Sequence, residues 1–271
     1  MKKRVITAFV LLPLLLVVVL LLPKIFTAIL FGAMAAIGAK ELLEGTGLVQ
    51  QPRLVLYGMI MAFFVAVWGS LWSVYSLVLL GMLALFGILF AEMLIFNKQI
   101  SFQQLTITFF GGFVIPFLLS AVVRLHNWEN GRFYILLPFV IAFLSDTGAY
   151  FAGRFFGKHK LAPTISPNKT VEGVIGGVLA AVLGVTAYCL ILKYAFSFNV
   201  RYLYIPVFGI FGSLGAVFGD LCFSAIKRQT GIKDYGNLIP GHGGILDRFD
   251  SMVVVAPLVE LMMIYMPMVV R

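Results

Sequence analysis

The sequence predicts an all-α fold, a polytopic membrane bundle of about nine transmembrane helices, and three observations carry that expectation. Of the 271 residues, 61% are hydrophobic and only 11% are charged, beyond what soluble domains tolerate. Apolar runs recur along the whole length at roughly the 20 residues needed to cross a hydrocarbon core of about 30 Å. The runs are too long, and alternate too little, for barrel strands of about 10 residues, so the backbone must satisfy its own hydrogen bonds as helices.

The expected spans lie near residues 5 to 22, 25 to 43, 54 to 71, 74 to 96, 105 to 123, 133 to 153, 171 to 193, 202 to 225 and 246 to 267. The first follows Met1-Lys2-Lys3-Arg4 and so also fits a secretory signal peptide. It is long, contains Pro13 and meets Pro23-Lys24 instead of a small-residue cleavage site, and it reads as a retained helix. The longest polar intervals are the outer connection from Arg124 to Arg132 and two loops, 154 to 170 and 226 to 246. No soluble domain, low-complexity tract or fixed-period repeat is apparent. On the eighth span Gly209, Gly212, Gly215 and Gly219 form a stripe that reads as a surface for close helix packing.

Cytoplasmic loops carry the excess of Lys and Arg, which sets orientation. With the N-terminus inside, the inner set holds Lys2, Lys3, Arg4, Lys40, Arg53, Lys98, Arg154, Lys158, Lys160, Lys169, Lys227, Arg228, Lys233 and Arg248. The outer set holds Lys24, Arg124, Arg132, Lys193, Arg201 and Arg271. Fourteen against six favours this topology, which puts both polar loops on the cytoplasmic face and the C-terminus outside. The net charge of +9 is accounted for by juxtamembrane cations facing anionic headgroups. No nucleic-acid partner is expected, because the basic residues are dispersed among spans without a recognition motif. Cys189 and Cys222 fall inside expected helices and read as packing residues.

Charged residues inside spans are costly and usually face a bundle interior or an aqueous cavity. Asp220, Ser224 and Lys227 share one face of the eighth helix. Asp146 lies at similar depth in the sixth, where it serves either as a supporting acid or as an interior partner for a cation. Glu260 is far from the cytoplasmic end and reads as structural. Asp247 and Asp250 open the ninth helix, where a carboxylate gains from free N–H groups and the dipole. Capping accounts for one of them. Between these acids, Pro240-Gly241-His242-Gly243-Gly244 offers backbone that can approach an anion closely, and its successive N–H groups suit a phosphate-binding nest.

Few acids among many cations suggest magnesium, which is held by one or two carboxylates while water and substrate phosphates complete its octahedron. Asp220 and Asp247 suit that role, and Asp250 either joins them or orients Arg248. Lys227, Arg228, Lys233 and Arg248 then neutralise phosphate oxygens. Phosphoryl or nucleotidyl transfer needs this arrangement, since its catalysis rests on positioning and charge stabilisation. There is no Walker A sequence. Gly148 to Arg154 has the glycine spacing but lacks the Lys-Ser/Thr pair. In the other loop, Ser166-Pro167-Asn168-Lys169-Thr170-Val171-Glu172-Gly173 reads in two ways: as the start of the seventh helix, or as a second phosphate site in which Lys169 and Thr170 reach across a cleft.

Ser224 with Lys227-Arg228, Lys233-Asp234 and Pro240-x-His242-Gly243-Gly244-x-x-Asp247-Arg248-x-Asp250 closely resembles the signature of the phosphatidate cytidylyltransferases, or CDP-diacylglycerol synthases. The segment from Ser145-Asp146 to Tyr150 and from Ser166-Pro167 to Gly173 is similar to that family too, with Asn168 where many members carry Lys. The resemblance covers the C-terminal half. It implies magnesium-dependent transfer of a cytidylyl group from CTP to phosphatidic acid, with pyrophosphate released and CDP-diacylglycerol left among the membrane lipids. It also implies an integral protein of a bacterial cytoplasmic (inner) membrane with its site facing the cytoplasm.

In that reading Asp220, Asp247, Lys227, Arg228 and Asp250 are catalytic, with magnesium on Asp220 and Asp247 and a second metal ion left open. Ser166, Lys169, Thr170, Ser224, Lys233, His242, Gly243, Gly244 and Arg248 bind substrate phosphates, and Asp146 and Asp234 support them. Residues 131 to 271 form the catalytic region, and residues 1 to 130 frame the lipid entrance. A homodimer is compatible with the sequence. A transporter would show paired halves with interrupted helices, and no such symmetry is visible. A scaffold that only binds lipid would need the basic loops without the clustered acids, and a lipid kinase would leave a nucleoside diphosphate instead of pyrophosphate.

Overall fold

The computed structural model describes residues 2–68, 75–96, 98–239, 241 and 243–270. The side chains of residues 2–8, 10–12 and 75, those of Lys2, Lys3 and Arg4 among them, lie outside this description. The described chain is nearly all-α, and it divides into two compact units.

One unit comprises Met1–Arg132 with Ile226–Phe249. It contains α1 (Lys2–Leu21), α2 (Lys24–Gly45), α3 (Pro52–Trp68) and α4 (Tyr75–Ile95), followed by α5 (Phe102–Phe109), α6 (Ile115–Leu119) and α7 (Ala121–Asn127). The Ser101 hydroxyl caps α5 by accepting the Gln104 N–H. A π-helical turn, Phe110–Val114, separates α5 from α6. It falls at Gly111-Gly112, where the backbone lies so close to Gly58 of α3 that a Cβ on Gly112 would sit 2.9 Å from the Gly58 Cα. Leu43, Leu54, Val55, Leu85, Leu89 and Leu105 form a buried apolar cluster joining α2 to α5.

Polar staples fix the helix ends of this unit. Arg53 Nε pairs with Glu92 Oε2 at 3.0 Å, and the Tyr57 hydroxyl donates to Glu92 Oε1 at 3.0 Å. The start of α3 is thereby tied to the end of α4. The Lys24 ammonium donates to the carbonyls of Asn127 and Trp128, which ties the start of α2 to the end of α7.

The other unit comprises Phe133–Ala225 with Asp250–Arg271. After the short α8 (Gly131–Tyr134), α9 (Leu136–Phe156) packs antiparallel to α10 (Val171–Phe196). Contacts of Leu144 with Gly184, Ser145 with Gly177, and Gly148 with Gly176 and Ala180 bring these backbones close together. Between the helices, β1 (Lys160–Ala162) pairs antiparallel with β2 (Ser166–Thr170), with Lys160 opposite Thr170. A second small ladder joins β3 (Asn199–Val200) to β4 (Val269–Val270). Helix α11 (Ile205–Gln229) begins in this unit and ends in the first, α12 (Leu246–Phe249) belongs to the first, and α13 (Met252–Tyr265) to the second.

The glycine stripe of α11 serves helix packing, as its spacing suggests. A Cβ on Gly209 would meet Val182, one on Gly212 would meet Ile141, and one on Gly215 would meet Leu258. Buried Ser145 and Ser213 share a hydroxyl hydrogen bond of 2.7 Å.

Among the described residues six helical stretches are long and apolar enough to cross a membrane: Lys24–Gly45, Ser76–Ile95, Phe102–Asn127, Gly131–Phe156, Val171–Phe196 and Tyr202–Gln229. Pro52–Trp68 is a shorter apolar helix. The expected spans at 5 to 22 and 246 to 267 also coincide with helix, the latter interrupted after Phe249.

Candidate functional site

Three hydrogen bonds enclose the Asp247 carboxylate. The side chain is 1% exposed. Oδ1 accepts from the Lys227 ammonium at 2.8 Å, and Oδ2 accepts the backbone N–H groups of Tyr235 (2.8 Å) and Gly244 (3.0 Å). Burying a carboxylate is costly unless it is paired and hydrogen-bonded, and here both conditions are met. Lys227 comes from the last turns of α11, where its carbonyl also accepts the Ile232 N–H, and its ammonium lies 5.4 Å from the centre of the Tyr235 ring. The left-handed Gly241 (φ 79°) and Gly243 (φ 82°) turn the chain back, and the Ile239 N–H bonds the Gly243 carbonyl at 2.9 Å.

A second carboxylate holds the same loop, and it is one that no motif pointed to. Glu41 of α2 accepts the N–H of Ile245 at Oε1 (3.0 Å) and the N–H of Leu246 at Oε2 (2.9 Å). The consecutive N–H groups of Gly244, Ile245 and Leu246 therefore hold the carboxylates of Asp247 and Glu41. The expected phosphate nest is Pro240 to Gly244; the N–H groups seen to bind anions are those of Gly244, Ile245 and Leu246, and these anions are side chains of this chain. Gly38, Glu41 and Gly45 share a face of α2 at spacings of three and four residues, and that face meets Leu246, the loop backbone and the Tyr235 carbonyl. The signal available in the sequence was a pair of acids, Glu41 and Glu44, between Gly38 and Gly45 at the end of an apolar span. Around this knot Arg228, Lys233, Asp234 and Arg248 are exposed. His242 lies outside the described residues.

The other unit carries Asp220. Its side chain is 32% exposed, Oδ2 pairs with the Lys169 ammonium at 2.5 Å, and Oδ1 accepts the Ser224 hydroxyl at 3.0 Å. Lys169, expected to reach a phosphate, is paired with this carboxylate instead. Ser166 opens β2, so it does not start the helix. Thr170 does so instead, with its hydroxyl accepting the Gly173 N–H at 3.1 Å. Thr170 is 6% exposed, and Gly153, Gly157 and Gly173 crowd its hydroxyl. Glu172 ties down the hairpin by accepting the N–H groups of Lys158 and His159 and bonding His159 Nδ1 at 2.6 Å. Asp250 accepts the Ser251 N–H at 2.7 Å, and Asp146 is exposed on α9.

Among the described residues no three His, Cys, Asp or Glu side chains gather as a metal cluster. Magnesium requires only one or two carboxylates, with water and phosphate oxygens doing the rest. Asp220 fits that chemistry, because it is partly exposed and, among the described residues, each of its oxygens has a single protein partner. Asp247 fits less readily, because three protein donors already enclose it.

Residues 2–266 match the model of the cytidylyltransferase family. A phosphatidate cytidylyltransferase of Staphylococcus haemolyticus is 45% identical over 138 residues, which are 51% of this chain and 52% of the relative. One from Staphylococcus aureus (strain COL) is 46% identical over 136 residues, covering 50% and 51% of the two chains. The alignments span about half the length of the curated relatives that the chain matches.

Proposed function

We propose that this chain, which belongs to the cytidylyltransferase family, transfers the cytidylyl group of CTP to phosphatidic acid in a membrane, giving CDP-diacylglycerol and pyrophosphate. The observation that carries the reading is the buried Lys227–Asp247 pair at the centre of a loop whose other cations, Arg228, Lys233 and Arg248, are exposed to meet polyphosphate. A chain of apolar helices that concentrates such chemistry in its polar loops suits one lipid substrate and one soluble polyanion.

In the proposed reaction a phosphate oxygen of phosphatidic acid attacks the α-phosphorus of CTP in line. The bond from that phosphorus to the bridging oxygen breaks, and pyrophosphate leaves with the electron pair. The attacking oxygen is already ionised, so no side chain is assigned as general base. Arg228, Lys233 and Arg248 neutralise the phosphates, with arginine suited to bidentate contact. Asp247 holds Lys227 and the loop backbone in place for this task. Lys169 and Ser224 orient the Asp220 carboxylate, which would hold magnesium. When bound, the metal supplies Lewis-acid stabilisation of the transferring and leaving phosphates.

The proposed topology has nine crossings, with the N-terminus and both catalytic loops on the cytoplasmic side of the cytoplasmic membrane. The end-to-end staples support it. Arg53 with Glu92 joins two ends expected inside, Lys24 with Asn127 two expected outside, and Glu41 with Ile245 two expected inside. In the second unit the β3–β4 ladder joins residues that are both expected outside.

The test uses protein purified in detergent with CTP, phosphatidic acid and magnesium, following lipid product and pyrophosphate together. Equimolar CDP-diacylglycerol and pyrophosphate are expected. Formation of a nucleoside diphosphate would point to a lipid kinase, and absence of any product from folded protein would sink the proposal.

A further inference from the structure

Glu41 occupies an expensive position. It lies in the last turns of α2, where the helix dipole disfavours an anion, and the residue is 9% exposed. Two charge-assisted hydrogen bonds from consecutive backbone N–H groups, more than 200 residues away in sequence, compensate it. The surroundings are cut to its shape: a Cβ on Gly236 would fall 2.6 Å from Oε1, and one on Gly244 would collide with the carboxylate as well. Phe31 of the same helix meets Phe249 edge-on at 6.1 Å, so α2 grips α12 at both ends.

We infer that Glu41 is a positioning residue for cytidylyl transfer. By fixing the N–H groups of Ile245 and Leu246 it sets the adjoining Gly244 N–H on Asp247, and through Asp247 it sets the Lys227 ammonium. Glu41 touches no reacting group. It acts through a chain of four hydrogen bonds, each between 2.8 and 3.0 Å. The inference rests on the transferase reading for its kinetic consequence. Its geometric content, that α2 clamps the signature loop, can be tested without any turnover.

Two variants and one control decide it. Glu41→Gln keeps the size but sets an amide NH2 against a backbone N–H, and Gly236→Ala pushes the carboxylate aside without removing it. Glu44→Gln alters the exposed Lys40–Glu44 pair on the same helix and serves as control. The first two should lower kcat about tenfold or more with the KM for phosphatidic acid nearly unchanged, and should speed amide hydrogen exchange at residues 245 and 246. The control should do neither.

Wild-type kcat and wild-type exchange in a folded Glu41→Gln or Gly236→Ala protein would overturn the inference. So would lost turnover without faster exchange. If both variants fail to fold while the control folds, Glu41 is a folding residue and the positioning claim is wrong. A wild-type protein that makes no CDP-diacylglycerol sinks the functional reading instead, and the exchange measurement still decides whether Glu41 holds the loop.

Discussion

Lys227 and Asp247 should behave as one energetic unit. Their side chains are 11% and 1% exposed and lie 2.8 Å apart. Lys227→Met keeps the apolar stem and removes the cation. It leaves a buried carboxylate with only the Tyr235 and Gly244 N–H groups for company, and stranding one partner of a buried pair costs about 3–5 kcal/mol. Asp247→Asn strands the ammonium instead, at a similar cost. For a chain of this size each kcal/mol moves Tm by about 2–4 °C, so each single variant should melt about 10 °C lower. The double variant strands no charge and should lose much less than the sum, with a coupling energy of about 1.5 kcal/mol or more. Thermal unfolding in detergent, followed by tryptophan fluorescence across the four proteins, reads this directly. Additive shifts, or single variants within about 1–2 °C of wild type on the same scale, would mean that the pair is neither buried nor coupled.

Three further outcomes follow from the same geometry. Asp220→Asn should stay folded and lose turnover, and a chelator should do the same to the wild type until magnesium is restored; a fully active variant would remove Asp220 from the proposed site. Thr170→Ala removes the hydroxyl that caps α10 and should cost about 1 kcal/mol, a fall in Tm of about 2–4 °C, whereas Thr170→Ser should keep most of the stability. An unchanged Tm in the alanine variant would contradict the cap. In a cell whose inner membrane is intact, a cysteine introduced for exposed Lys233 should escape an impermeant thiol reagent and one introduced for exposed Arg201 should react. The reverse pattern would invert the proposed orientation.

Most of the helical framework was legible because membrane helices advertise themselves: an uninterrupted apolar run has no other way to satisfy its backbone in lipid. Within the described residues each of the nine expected spans overlaps helix, residues 69–71 and 74 of the third and fourth lying outside them, and six stretches meet the demands of length and apolarity outright. Less legible were the places where local chemistry has two solutions. Ser166-Pro167 resembles a helix start, yet the chain remains extended through Lys169 because pairing with Lys160–Ala162 satisfies that backbone, and the cap passes to Thr170. The glycines around residue 243 advertise an anion site, but spacing along the chain does not reveal which anion fills it. The answer required Glu41, from a helix without a motif and 204 residues from its partner Ile245. The partnership of Lys169 with Asp220 was hidden in the same way. Each residue is a site candidate in the sequence, and only the fold shows that Lys169 of β2 meets Asp220 of α11.

In the proposed reaction the cytidylyl group moves to the lipid while pyrophosphate departs. Purified protein should be given CTP labelled in turn at the α- and the γ-phosphorus, with phosphatidic acid and magnesium. The α-label should enter the lipid and the γ-label should leave as pyrophosphate. Transfer of the γ-label to the lipid, with CDP left behind, would contradict it and make the protein a lipid kinase.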